Sequence, residues 1–139
     1  MLWSQAYTLD DLQEFVPNTI MEQLGIAFSE ISDTSLSGTM PVDKRTHQPA
    51  GILHGGASVV LTETLGSMAS VLVIDRSKHI CVGLEINANH IRPISSGKVT
   101  GTATAIHIGA KTHIWEIKIV SDKAKLICIS RLTMAILPK

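Results

Sequence analysis

The run from Ala57 to Ile74, ASVVLTETLGSMASVLVI, narrows the possible folds of this chain more than any other stretch. Leu61, Leu65, Met68 and Leu72 recur at offsets of four, three and four, the spacing of one side of a helix. The other sides are also apolar or small, and a helix apolar nearly all round must be wrapped by other elements. The run is long enough to span a bilayer, but Glu63 sits at its middle, with Ser58, Thr62, Thr64, Ser67 and Ser70 around it. A carboxylate at mid-bilayer is costly, so a buried helix of a soluble protein is expected and no membrane partner.

The flanks predict what does the wrapping. Downstream lie four strand-like segments, His79 to Ile91, Lys98 to Ile108, Thr112 to Val120 and Leu126 to Leu137. The breaks between them, Ser95-Ser96-Gly97, Gly109-Ala110-Lys111 and Ser121-Asp122-Lys123, are too short for parallel crossovers, which predicts a four-stranded antiparallel meander. Upstream, Ile26 to Ile31 and Leu36 to Val42 flank the turn Ser32-Asp33-Thr34-Ser35 and read as a hairpin. Thr8 or Asp10 caps a short helix from Thr8 to Phe15, which Pro17 ends, and DKRTHQPAGILHGG before the long helix reads as a structured loop. One sheet covers the helix only by curling around it, and the helix's remaining side must then meet a second copy. The expectation is a single α+β domain over residues 1–139 that self-associates.

Composition excludes several functions. A chain of 139 residues, 45% hydrophobic, can bury a core without metal or disulfide staples. A formal net charge of +0 and 4% aromatic residues argue against nucleic-acid binding. Cys81 and Cys128 lie in apolar runs and no signal-peptide pattern precedes them, so reduced thiols in a cytoplasmic protein are expected. The six histidines form no HExxH motif and have no cysteines at zinc spacing, so no metal is assigned. Phosphate-cradling glycine motifs and a GxSxG elbow are missing, so neither a nucleotide cofactor nor a serine hydrolase is expected.

Glu63 is the only ionisable side chain between Ala57 and Ile74. A buried carboxylate needs partners or a raised pKa; the structural alternative to a catalytic role is a pair with Arg131. Ser67 and Ser70 fall four and seven residues later on the same side, beside Gly66. They could hold a substrate or water, or the small residues could serve close helix contact in a dimer. His54-Gly55-Gly56 opens the helix, where free backbone N–H groups suit an oxyanion and glycines admit a close substrate. The plainer alternatives are a Gly-rich helix entry, a capping His54 and a turn-forming Gln48. Glu63 lies eight residues beyond Gly55, roughly 12 Å along a helix. If both act on one carbon they come from different subunits of a two-fold dimer with antiparallel helices.

The blocks QPAGILHGGASVVLTETLGSMAS and VGLEINANHIRP closely resemble the hot-dog-fold thioesterases that act on aromatic acyl-CoA, and the resemblance runs from a strand-like MLW to SRLTMAIL. It implies a long central helix wrapped by a curled antiparallel sheet, dimers in which two sheets join, and dimers of dimers. It also implies acyl-CoA as substrate, with no cofactor. Matched residue by residue, Glu63 is the carboxylate, Gln48 and the Gly55 N–H polarise the carbonyl, His54 meets the leaving thiol and Ser67 positions water. Gly56 borders the site, and Val82, Gly83, Asn89, His90 and Arg92 fall where relatives contact CoA. Ala50 and Val71 stand where members carry Phe and a bulkier aromatic, which implies a wider acyl pocket. The expected activity is hydrolysis of an aromatic or medium-size acyl-CoA. The alternatives are thioesters on a carrier protein and a non-catalytic acyl-CoA-binding module.

Overall fold

A computed structural model describes residues 1–139. The elements are α1 (Leu9–Gln13), α2 (Ile20–Leu24), β1 (Ala27–Ile31), β2 (Ser35–Pro41), α3 (Gly55–Val73), β3 (His79–His90), β4 (Lys98–Ile108), β5 (Thr112–Ser121) and β6 (Leu126–Pro138). The apolar run forms α3, which begins two residues before the periodic pattern because Gly55 and Gly56 carry no hydrophobic signal. Its stripe of Leu61, Leu65, Met68 and Leu72 is buried against the sheet. Val59, Val60, Glu63, Thr64, Ser67 and Val71 remain half-exposed on the side the sheet leaves open. The helix has the length and hydropathy of a membrane span, and its buried side faces strands.

Missing side chains seat the helix. Gly38 of β2 and Gly101 of β4 are register partners, and a Cβ on either would come within 2.9 or 2.7 Å of a Leu65 methyl. Leu65 fills the space they leave, an arrangement a larger residue would overpack. A Cβ on Gly66 would lie 2.5 Å from Leu132 Cδ2, so Gly66 serves contact with β6 of its own chain rather than a helix across a dimer.

The six strands form one antiparallel sheet in the order β1-β2-β4-β5-β6-β3. This corrects the four-stranded meander: β4, β5 and β6 are consecutive, but β3 pairs with β6 from His79↔Pro138 to His90↔Cys128. The hairpin strand β2 takes the edge of β4 instead. The link from Ile91 to Gly97 is not a hairpin turn. The loop before α3 pins it through Leu53 N–H to Ile94 O (2.8 Å), Val42 N–H to Gly97 O (2.8 Å) and His47 Nε2 with Ser95 O (2.9 Å).

The N-terminal MLW is likewise not a strand. Trp3 is buried, donates from Nε1 to Ser32 O and stacks on Trp115 at 6.4 Å between ring centroids. Thr8 caps α1 with a reciprocal bond to Asp11, so Thr8 rather than Asp10 is the cap. The short α2 was not anticipated; Thr19 caps its start and Gly25, at φ 70°, ends it.

Candidate active site

The N-terminus of α3 is assembled by loop residues. His54 is the N-cap, and its Nδ1 accepts from Gly56 N–H at 2.7 Å. That bond requires Nδ1 without a proton, so the neutral ring carries its N–H on Nε2, free to donate. A Cβ on Gly56 would sit 2.8 Å from His54 Cε1; only glycine lets the ring fold back this way. Ala57 N–H and Ser58 N–H both bond His54 O, which leaves Gly55 as the first-turn N–H without a partner. A Cβ on Gly55 would meet His90 Nε2 at 2.8 Å, so the His90 ring rests against this N-terminus.

Gln48 closes its own turn: its Oε1 accepts from Ala50 N–H, and Gly51 N–H bonds its backbone oxygen at 2.9 Å. With the side-chain oxygen engaged, the Gln48 amide NH2 keeps both protons to donate. Gln48, Gly55, His90 and Arg92 line one cleft of about 340 Å³. Ile52, Ser58 and Ile94 line it too, positions that a sequence reading passes over because single loop residues carry no periodicity.

Glu63 stands apart, eight residues along α3 from Gly55 and so roughly 12 Å further along its axis. The structural alternative fails: Arg131 is exposed, in register with Glu116 and Asn87, and makes no ion pair with Glu63. Burial pushes the Glu63 carboxyl above its usual value, and a hydrogen bond from Ser67 draws it part of the way back. Ser67 Oγ also lies 3.7 Å from Met134 Sδ. A Cβ on Gly83 would be 2.5 Å from Glu63 Oε1, so the carboxylate rests on the bare backbone of β3. The β3–β6 register slips between Gly83 and Glu85, a bulge beside the carboxylate.

Other sequence-predicted positions separate from these two groups. Ser70 does not face the open side: its hydroxyl accepts from Trp115 Nε1 at 2.8 Å and lies 3.0 Å from His113 Nδ1 in the core. Val82 alternates away from Gly83 along β3 and is exposed. Asn89 alternates away from His90 and lines a separate depression with Asn87, Glu116 and Arg131. The chain therefore holds a donor group at the start of α3 and a carboxylate group at its middle.

A family model described as the thioesterase superfamily matches residues 50–128. A mutant thioesterase of known structure from Pseudomonas aeruginosa superimposes with a TM-score of 0.98 at 54% identity, each chain covered over 100% of its length. The 1,4-dihydroxy-2-naphthoyl-CoA hydrolase of Escherichia coli is 46% identical over 137 residues, 99% of this chain and 100% of that protein. The proofreading thioesterase of Cronobacter sakazakii is 46% identical over 137 residues, 99% of each. With one long helix packed in a six-stranded antiparallel sheet, this chain belongs to the thioesterase superfamily, a thioester hydrolase on the hot-dog fold.

Proposed function

We propose that the chain hydrolyses an acyl-CoA with an aromatic or medium-size acyl group, of the naphthoyl or hydroxybenzoyl type, at sites shared between two copies. The observation that carries this reading is the separation of the unpaired Gly55 N–H from the raised-pKa Glu63 along one rigid helix. Two antiparallel α3 helices side by side bring Glu63 of one copy to Gly55 of the other and make two equal sites. The names of the Escherichia coli and Cronobacter sakazakii relatives support the thioester class, and the first supports an aryl-CoA.

In this reading the substrate carbonyl accepts from Gly55 N–H and the Gln48 amide, which stabilise the oxyanion as it forms. Glu63 of the other copy either takes a proton from water as the water attacks or attacks the carbonyl itself, with Ser67 holding the water. Collapse breaks the C–S bond while His54 Nε2–H hydrogen-bonds the departing sulfur; the thiolate takes the proton that Glu63 removed from water or, where Glu63 itself attacked, water hydrolyses the acyl–Glu63 anhydride and supplies that proton. The products are a carboxylic acid and CoA. Where β3 ends the sheet, Ile80, Val82 and Leu84 are 44%, 42% and 60% exposed. An unpaired apolar edge is a template for a second strand. Two-fold pairing of β3 with its counterpart would align the helices as the chemistry requires.

Mixing tests the shared site. Glu63→Ala and Gly55→Leu are each expected to be inactive alone. Co-refolded in equal amounts, half the dimers are mixed, and in each of these one site carries both lesions and the other neither. Activity should return to about a quarter of wild type. Mixed dimers, shown by mass spectrometry, that stay inactive would overturn the composite site.

A further inference from the structure

Three contacts seat α3 on β6, and the last of them falls beside the Glu63 carboxyl. Ser130, Leu132 and Met134 alternate onto the inward face of β6, at 4%, 0% and 1% exposure. Thr62 Oγ1 meets Ser130 Oγ at 2.8 Å, and Ser130 donates on to Ile117 O at 3.3 Å. Gly66 lies against Leu132, where a Cβ would come 2.5 Å from Cδ2, so the helix approaches β6 closely at this level. That approach brings Ser67 Oγ within 3.7 Å of Met134 Sδ. Met134 is also the register partner of Gly83, whose missing Cβ leaves room for Glu63 Oε1. Gly83 and Met134, side by side in the sheet, therefore form the floor under Glu63 and Ser67.

Ser67 has one proton and two acceptors within reach. With Glu63 ionised, the hydroxyl donates to the carboxylate, the bond that draws this carboxyl down. A thioether sulfur is a weak acceptor and loses that competition to an anion. The order reverses when Glu63 loses its charge, and both routes of the proposed reaction remove it. A proton from water leaves a carboxylic acid, whose O–H donates to Ser67 Oγ; attack on the carbonyl leaves a neutral anhydride. In either case the Ser67 O–H rotates away, and Met134 Sδ, shielded from water, is there to accept it. No covalent bond to Ser67 or Met134 forms or breaks. Other titratable groups stand off. His79 and Cys81 precede Gly83 on its face of β3, with Cys81 kept protonated by burial, and His113 on β5 is bonded to Ser70. His54 and His90 lie at the start of α3, and Glu85 and Arg131 point outward from the sheet. β2 and the inward positions of β4 and β6 carry none.

We infer that Met134 is a positioning residue for thioester hydrolysis: its sulfur receives the Ser67 O–H as Glu63 is neutralised, so that Ser67 stays bonded and in place through the step. The inference rests on the reading of Glu63 as the reacting carboxylate. It assigns the role to the sulfur rather than to the shape of the side chain, since a leucine fills a similar volume and offers no acceptor. In the sequence Met134 is one apolar residue in a strand, where methionine ordinarily serves as a filler of irregular gaps.

The test is a double-mutant cycle on benzoyl-CoA hydrolysis, with Met134→Leu, Ser67→Ala and the two combined. Met134→Leu should lower kcat about three- to ten-fold with KM within about two-fold. It should also move the acid limb of the kcat profile about half a pH unit lower, because the neutral carboxyl loses a support that the ionised one does not use. In the Ser67→Ala background, where there is no O–H to receive, Met134→Leu should change neither kcat nor the limb. Protein with norleucine in place of all five methionines keeps the side-chain shape and removes the sulfur. It should reproduce the loss, and norleucine should add nothing further to Met134→Leu. A loss that adds in full to that of Ser67→Ala would mark Met134 as packing alone and overturn the inference, as would norleucine protein with wild-type kcat and limb. Glu63→Gln separates the two readings. If it is inactive while Met134 acts independently of Ser67, the inference falls and the reaction stands; if it hydrolyses benzoyl-CoA at the wild-type rate, the carboxylate reading falls and takes the inference with it.

Discussion

Glu63 has no cation to answer it, and the fold accommodates it by leaving Gly83 without a side chain. Its carboxyl is raised by burial, so as pH rises the unfolded chain ionises first. Stability is therefore lost from the ordinary carboxyl value, near pH 4.5, up through the folded value, and the loss persists at neutral pH. Glu63→Gln should be at least as stable as wild type to urea at pH 7, with the advantage gone below about pH 4, while hydrolysis falls at least about a hundred-fold. A variant less stable at pH 7 than at pH 3.5, relative to wild type, would show that the ionised carboxylate stabilises the fold. Much of this residue was legible from composition alone, since one carboxylate in an apolar helix demands an account. Its seat was not, because Gly83 is distant in sequence and carries no chemistry of its own.

The far end of α3 is held by polar groups that the helical period does not reveal. Trp115 donates to Ser70 Oγ, so the Ser70 proton is free for Nδ1 of a neutral His113, which is 2% exposed. Burial pushes the His113 pKa down, and the nearby His107 adds to the shift. The unfolded chain gains its proton first as pH falls below the ordinary value of 6.5, so this element loses stability on acidification. We expect the wild-type urea midpoint to fall between pH 7.5 and 5.5 more steeply than that of His113→Gln. The variant itself should be weaker by about 1–3 kcal/mol at pH 7.5 from the disturbed buried bonds. Equal slopes would show that His113 titrates as in the unfolded chain. Ser70, read as part of a polar substrate side, belongs instead to this anchor. A spacing of seven residues places a hydroxyl on a helix face but not the tryptophan that captures it.

In the whole molecule, the proposed dimer would use the two chemical groups on α3 together with the bare edge of β3. Leu84 is 60% exposed at the bulge of that edge. Leu84→Lys should leave the circular dichroism spectrum and folding unchanged, because the side chain is not in the core. It should shift sedimentation to the monomer and lower kcat/KM at least about a hundred-fold, since a monomer holds the donor group and the carboxylate roughly 12 Å apart. A monomeric variant with full activity would show that one chain suffices.

The sequence by itself determined the central helix, its lone carboxylate, the glycine-rich entry and the distance between them, because each follows from local composition and a fixed rise per residue. It also determined most strand segments, because hydrophobic runs and turn residues are local signals. Tertiary structure decided the rest. It sent β3 past β4 to β6, seated Leu65 between Gly38 and Gly101 and turned Ser70 into the core. The physical reason is shared: these outcomes depend on which distant surface closes around an apolar helix, and the free energy of that closure belongs to packing across the sheet rather than to any short stretch of chain.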